Sequence, residues 1–555
     1  MINIELLKET LKRLSFIKNI NEINCEDSII RGSIVILFDG LESSLNFRFE
    51  IYPPYPLKYH GSESIKFYNE DLISINHVMQ DGSICIHNSH NTDLKQKILM
   101  DFDSLKQWIQ KYYIDKENDL NYEHIVVEEG LVDENYYSYI FTDISHTFSE
   151  GDFGKVDIFP LNNAFYKDKV IQNFLVQKFV FNKSKIPCKW NSHYSNIQAS
   201  EFGLFYFLDK HPAKMNKFIF NNWVEFQGLV SNVFLNYLHQ FEKKFLTNSK
   251  GNILPLFFGY RTVNNEIHWQ VALIKIGAFP IKGEAEILLD IKTGKWNTKL
   301  ISSDIQWALV RDSSYKYFFG RGTIDKSITE SKILIIGLGA IGSMVAKTLT
   351  RGGCKYIDIV DYDIKEPENV CRSEYLFQSG LCDKVREIES LLIAISPFVE
   401  VTIIKKEYFE LIAKMLYKDM ESRSHLIANL NEYDIVFDCT TDNDLMHILE
   451  IFELTGQIIN MSITNHAQEL VCAFSPNIYN FVNTQFSEIL NNDLEDLYEP
   501  TGCWNPTFKA SYNDINTLVQ FAIKHINNIY KNSKEKNNFV IGTNADELTL
   551  EIKEY

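Results

Sequence analysis

Residues 332–353 read "KILIIGLGAIGSMVAKTLTRGG". The run from Ile333 to Ile336 is short, mostly β-branched and continuously apolar, as a strand buried on both faces requires. Gly337, Gly339 and Gly342 follow, and then a helical pattern closed by Gly352 and Gly353. Between a strand and a helix the first such glycine permits a tight turn. The second lets backbone approach a phosphate, and the third lets helix and strand pack closely. The helix N-terminus favours an anion. Asp361 ends the next apolar run, "KYIDIVDYD" (355–363), about 20 residues on, where a ribose hydroxyl needs an acceptor. "VEVTII" (399–404), "DIVFDC" (434–439) and "QIINMSIT" (457–464) read as further strands, and "DKVREIESLLIAIS" (383–396) reads as a helix stopped by Pro397. This alternation predicts a doubly wound, Rossmann-like parallel sheet over residues 321–555. The glycines alone fit NAD, or a turn that binds nothing.

Further charges separate the nucleotides. "DYDIKEPENVCRSEY" (361–375) sets Asn369 and Arg372 after Asp361, and "GLCDKVREIE" (380–389) sets Lys384 at a helix start. "DIVFDCTTDN" (434–443) places Asp438 and Asp442 at a strand end. Two cations beside the loop suit a triphosphate that loses pyrophosphate, and a carboxylate suits Mg²⁺. A dehydrogenase needs neither, so the set favours ATP with Mg²⁺. With this pattern (glycine loop, Asp-x-Asp, Asn-x-x-Arg, downstream Lys, Asp-Cys-Thr), residues 325–520 resemble ubiquitin-activating enzymes and the bacterial thiamin- and molybdopterin-biosynthesis adenylating enzymes. The resemblance implies that Asp361 holds the ribose, that Asn369, Arg372 and Lys384 hold phosphates, and that Asp442 holds Mg²⁺. Here the family's Asp-Cys-Thr-Asp-Asn is one residue longer, which leaves Asp438 as the alternative to Asp442. Relatives often carry zinc-binding cysteine pairs, and this chain has none.

"EPTGCWNPTFKASYNDI" (499–515) holds Cys503 between Gly502 and Pro506, a setting that exposes a thiol more readily than a packed core does. It resembles the catalytic segment of bacterial activating enzymes that form thioesters. A second cysteine, Cys85, lies in "HVMQDGSICIHNSH" (77–90), read as a Gly-Ser-Ile-Cys-Ile strand ringed by His77, His87 and His90. A buried thiol, a metal ligand and a nucleophile are the three readings of Cys85. The leading helix over about 3–17, "FRFEIYPPYPLKY" (47–59), "GSICI" and the helix "FDSLKQWIQKYYID" (102–115) resemble ubiquitin-conjugating enzymes. That family carries His-Pro-Asn before its cysteine, and His77 stands where its Asn would. His77 then either takes the oxyanion-stabilising role or only shapes the turn. His87 and His90 tune the thiol, assist lysine attack, or are polar loop.

The chain of 555 residues suits about three domains. They are read as 1–150, a ubiquitin-conjugating-like α+β domain, 151–320, a middle α+β domain, and 321–555, the adenylation domain. "SHTFSEGDFG" (145–154) marks the first boundary, and the middle third is too apolar for a linker. A formal net charge of −18 argues against direct nucleic-acid or anionic-membrane binding. Nine scattered cysteines without a Cys-x-x-Cys pair fit a reduced, cytoplasmic chain, and neither a signal peptide nor a membrane span is expected.

The fusion of two thiol modules resembles the CD-NTase-associated protein 2 family of cyclic-oligonucleotide antiphage signalling (CBASS) systems. That resemblance implies activation of the C-terminus of a cGAS-like (DncV-like) nucleotidyltransferase, conjugation to target lysines, and a homodimer. Arg311 and Arg321 are candidates for an arginine acting across the dimer. The rival readings are a bacterial ubiquitin-like protein as cargo, a sulfur-carrier adenylating enzyme whose N-terminal domain only binds, and an NAD-dependent oxidoreductase.

Overall fold

A computed structural model describes residues 3–59, 61–117, 125, 127–215, 217–248, 253–262, 265–275, 289–290, 295–296, 303–404, 420–490, 499–500, 506–507, 510–544 and 549–555. It falls into two compact units, each assembled from separated stretches: 1–130 with 206–307, and 131–205 with 308–555. Among the described residues no helix is long and apolar enough to cross a membrane.

In the first unit, α1 (Ile4–Leu11) precedes β1 (Ile17–Ile20), β2 (Ile29–Ile36), β3 (Leu45–Ile51), β4 (Ile65–Tyr68) and β5 (Ser83–Ile84), which run antiparallel in that order. The leading helix is shorter than its sequence pattern predicts. It stops at Leu11 because Phe16 turns into the core and Ile17 pairs with Ile36. Along β3, Leu45, Phe47, Phe49 and Ile51 point inward while Asn46 and Arg48 face out, the period-two alternation of a one-sided sheet. α2 (Leu94–Trp108) covers that face with Ile98, Phe102 and Leu105. Phe102 meets Phe49 and Phe67 edge-on at ring-centroid separations of 5.6 and 4.9 Å. Each such buried side chain contributes about 1.5–3 kcal/mol. The later part of the unit adds the antiparallel pair Ile253–Arg261 and Ile267–Lys275, with Trp223, Trp269 and Trp307 buried.

The second unit carries the doubly wound sheet. Its strands β6 (Lys332–Ile336), β7 (Tyr356–Val360), β8 (Glu400–Ile403), β9 (Ile435–Asp438), β10 (Gln457–Ile463), β11 (Glu469–Phe474), β12 (Phe539–Asn544) and β13 (Thr549–Glu554) lie in the order β8-β7-β6-β9-β10-β11-β12-β13. The first five are parallel and the last three antiparallel. α3 (Ala340–Arg351) and α6 (Tyr512–Lys531) share one apolar core with β6 and β7, while α4 (Lys384–Ile395) ends just before Pro397. α5 (Asn443–Ile451) follows β9. Chain order reverses between β6 and β9, and that crevice is where open α/β sheets take ligands.

Residues 131–205 belong to the same unit. Lys169–Phe181 runs parallel to Tyr136–Phe141 and antiparallel to Phe153–Pro160, and 145–152 connects two of these strands. Asn191 stitches this sheet to the edge of the doubly wound one: its N–H donates to Pro397 O (2.8 Å) and its amide to Val399 O (3.0 Å). The Trp190 ring stacks at 5.9 Å on Phe398.

Candidate functional sites

Cys85 lies one residue past β5, so it is outside the ladder rather than within a Gly-Ser-Ile-Cys-Ile strand. Its N–H still donates to His77 O at 2.8 Å. His77 has φ +62°, sparsely populated for a side-chain-bearing residue, and its ring packs 4.5 Å from Tyr112. The imidazole beside the sulfur is His87, with Nε2 3.5 Å from Sγ. The thiol is half-buried, and burial pushes its pKa up. It is therefore mostly neutral at pH 7 and needs help to react. Among the described residues no group of three or more His, Cys, Asp or Glu side chains is placed to hold a metal ion.

The segment after Cys85 is bolted to a buried charge cluster. The Lys97 ammonium donates to Glu63 at 2.8 Å and to Asp101 at 2.7 Å, all three nearly solvent-free. Asn88 donates to Asp101 (2.8 Å) and accepts from the Ser104 hydroxyl (2.6 Å), and the Tyr55 hydroxyl also donates to Asp101 (2.8 Å). Burial would push the Glu63 carboxyl up, but Lys97 and the Asn88 N–H bring it below its ordinary value. Breaking such a buried network from one side costs about 3–5 kcal/mol. Sequence reading missed it, although the Lys97–Asp101 spacing on a helix was the available signal.

At the second site the glycines divide as their spacing predicts. Gly337 has φ +82°. A Cβ on Gly342 would lie 1.8 Å from Gly337 O, whereas one on Gly339 would meet nothing within 4 Å. The loop is thus packed tight behind and open in front, at the N-terminus of α3. Asp361 at the end of β7 ties this loop down: its carboxylate accepts from Leu338 N–H at 2.6 Å and from Asp363 N–H at 2.8 Å. Burial pushes its carboxyl up, opposed by the Leu338 N–H and by Lys384. Each oxygen keeps a lone pair for a ribose hydroxyl.

Lys384 opens α4 and donates to Asp363 at 2.6 Å. Asn369 is in a short helical turn, Pro367–Arg372, where its side-chain oxygen accepts the Glu366 N–H at 2.9 Å. Arg372 ends that turn half-buried. Asp438, at the end of β9, is wholly buried and accepts from Thr440 (3.1 Å from N–H, 2.7 Å from the hydroxyl) and from Asn460 (2.8 Å). Asp442 is exposed and caps α5, accepting from Asp444 and Leu445 N–H. Between the two, Asp442 has the carboxylate open to a cation. Glycine loop, Asp361 and the Asp438–Asp442 turn thus stand at the carboxyl ends of three adjacent strands, β6, β7 and β9. Arg311 and Arg321 are exposed. Cys503 lies outside the described residues.

Comparison with known proteins follows the same segment. Residues 308–457 match the model of the ThiF family. The chain is similar to the ATP-dependent ubiquitin transferase-like protein Cap2 of Enterobacter hormaechei subsp. hoffmannii (strain UCI 50), 26% identical over 237 residues, covering 41% of this chain and 37% of that protein. It is also similar to the adenylyltransferase and sulfurtransferase MOCS3 of Drosophila sechellia, 27% identical over 177 residues, 31% of this chain and 35% of that protein. The matched part thus spans little more than a third of these curated relatives. Among solved structures, E. coli MccB with ATP overlaps 41% of this chain and 64% of its own, at 17% identity and TM-score 0.29. The chain is thus similar to Cap2 over 237 residues, and it matches the ThiF family model over 308–457.

Proposed function

We propose that the chain is an ATP-dependent ubiquitin-like transferase built of a conjugating module (1–150), a middle domain (151–320) and an adenylation module (321–555). The observation that carries this reading is the alignment of the glycine loop, Asp361 and Asp442 at adjacent strand ends, with Lys384 close by on Asp363. A carboxylate is a poor electrophile at neutral pH. The C-terminal carboxylate of a partner protein attacks the α-phosphorus of ATP, and the α–β bond breaks to release pyrophosphate. Gly339 leaves room for the phosphates, Arg372 and Lys384 neutralise them, and the Asn369 amide hydrogen-bonds to them. Asp442 would hold Mg²⁺, which offsets charge on the leaving group.

Cys503 then attacks the acyl carbon and expels AMP, Cys85 takes the acyl group by thiol exchange, and a target lysine amine displaces Cys85. Joining both thiols in one chain raises the effective concentration of the second. His87, beside Sγ, is the base that accepts the thiol proton. The activated partner is a cGAS-like nucleotidyltransferase, and the enzyme works as a cytoplasmic homodimer in antiphage defence.

The test incubates the full chain with ATP, Mg²⁺ and that nucleotidyltransferase. Intact-mass analysis is expected to find a DTT-sensitive adduct on Cys503 and then on Cys85, with Cys85→Ala halting the group at Cys503. Nicotinamide binding without ATP binding would overturn the reading. The similarity to MOCS3 favours one alternative, adenylation for sulfur transfer with a non-catalytic N-terminal domain. In that case Cys85→Ala leaves product formation intact.

A further inference from the structure

Three consecutive carbonyls in the loop before Cys85 are each held by a different element. Asn76 O accepts from the Trp108 indole at 3.2 Å, His77 O from Cys85 N–H at 2.8 Å, and Val78 O from the Lys217 ammonium at 3.0 Å. Lys217 also donates to Ile75 O at 2.6 Å and to Ile73 O. An ammonium has three protons, and all three are spent on backbone carbonyls of this one loop.

Lys217 is 3% exposed, and among the described residues no carboxylate lies within ion-pair distance of it. Burial pushes its pKa down to about 8. A lysine is rarely so buried without a carboxylate partner, and among the described residues it is the dipoles of three carbonyls that face its charge. The arrangement is reciprocal, since three carbonyls converging on one point would repel one another without the cation.

Resting on the reading of Cys85 as an acyl-accepting thiol, we infer that Lys217 is a positioning residue for Cys85. It lies well beyond the stretch that resembles ubiquitin-conjugating enzymes, yet it fixes the loop that holds the Cys85 backbone. The chain of contacts is short. Lys217 gathers Ile73, Ile75 and Val78, and His77 is thereby fixed at its positive φ. The His77 carbonyl then sets Cys85 N–H, and with it the direction from which sulfur meets an incoming thioester. The middle of the chain is in this way part of the conjugating site.

The test uses full-length protein carrying Lys217→Met, of similar length and apolar, and Lys217→Arg, which keeps the charge but cannot converge three N–H groups on one point. Three quantities are read: amide exchange in peptides spanning 73–86, iodoacetamide alkylation of Cys85 with Cys25 as internal reference, and the rate of acyl transfer to Cys85. In Lys217→Met, exchange and alkylation should rise about tenfold, the effect of losing charge-assisted hydrogen bonds. Transfer should fall, with ATP–pyrophosphate exchange unchanged. Lys217→Arg should move the same quantities by about threefold and decides the matter if the Met variant does not fold. A residue that merely fills space would tolerate Met without change in any of them. Unchanged exchange and alkylation in the folded variants would overturn the inference, as would faster exchange with unaltered transfer. The first two readouts need neither ATP nor partner. If they move while wild-type Cys85 never carries an adduct, the relay reading falls and the loop clamp stands.

Discussion

The Lys384 ammonium sits 2.6 Å from the Asp363 carboxylate, so the cation assigned to phosphates rests on an acid two residues beyond Asp361. Asp363 is half-exposed, which keeps the pair exchangeable. In the proposed reaction an incoming triphosphate competes for that ammonium from the front of the glycine loop. Lys384→Met is therefore expected to lower kcat/KM for ATP–pyrophosphate exchange by about 10²-fold, while thermal stability changes little. Exchange at the wild-type rate would remove Lys384 from the phosphate site.

The two outer glycines are predicted to behave differently from the middle one. A Cβ on Gly342 would strike Gly337 O at 1.8 Å, and backbone cannot swing away as a side chain can. Gly342→Ala should cost at least about 3 kcal/mol in urea unfolding. Gly339→Ala meets no atom within 4 Å and should fold as wild type, yet raise KM for ATP. Equal stability losses in both would contradict this division.

Asp438 and Asp442 are separable by the same logic. Asp442→Asn keeps a good helix cap and should leave the melting temperature in place while weakening Mg²⁺-dependent adenylation. Asp438→Asn replaces one of two accepting oxygens by an amide donor, set against either the Thr440 donors or the Asn460 donor. It is expected to lose about 1–3 kcal/mol. Loss of Mg²⁺ dependence in the Asp438 variant alone would transfer the metal role to Asp438.

Lys217 makes a prediction in pH. Its pKa is pushed down to about 8 by burial, whereas an unfolded lysine titrates near about 10.4. The folded state thus binds fewer protons between these values. The cost of burying its charge is absent above about 10.4, where both states are neutral, and is complete below about 8, where both are protonated. The unfolding free energy of wild type minus that of Lys217→Met should rise between those limits. A flat difference would show that Lys217 titrates as it does in water.

Cysteine reactivity ranks the thiols. Cys25 and Cys371 are exposed, Cys85 is half-buried with its pKa raised by burial, and Cys188, Cys354, Cys439 and Cys472 are buried. At pH 7 iodoacetamide should label Cys25 and Cys371 at least about tenfold faster than Cys85, and the four buried thiols only on unfolding. Peptide mapping checks the order. Cys85 labelling first would mean that His87, 3.5 Å away, draws off its proton more strongly than burial holds it.

What was legible in the sequence is what short-range geometry dictates. The glycine spacing encodes a tight turn, an open front and a packed back, and Asp361 follows because a strand of fixed length ends there. That Asp438 is buried while Asp442 is exposed was not legible, since it depends on Asn460 reaching across from β10. The leading helix looked longer because Phe16 and Ile17 continue its apolar spacing while serving the core and the sheet. Lys217 was invisible for a similar reason. In "KMNKFIF" (214–220) two lysines look alike, but Lys214 pairs at the surface with Glu225 and Lys217 is buried among carbonyls 139–144 residues away in the chain.

That separation has a consequence for biosynthesis. A ribosome adds about 5–20 residues per second, so the loop beside Cys85 is made roughly 7 to 29 seconds before its anchoring cation. Until then the newborn thiol is ungoverned, and any nascent fragment ending short of Lys217 would carry it in that state.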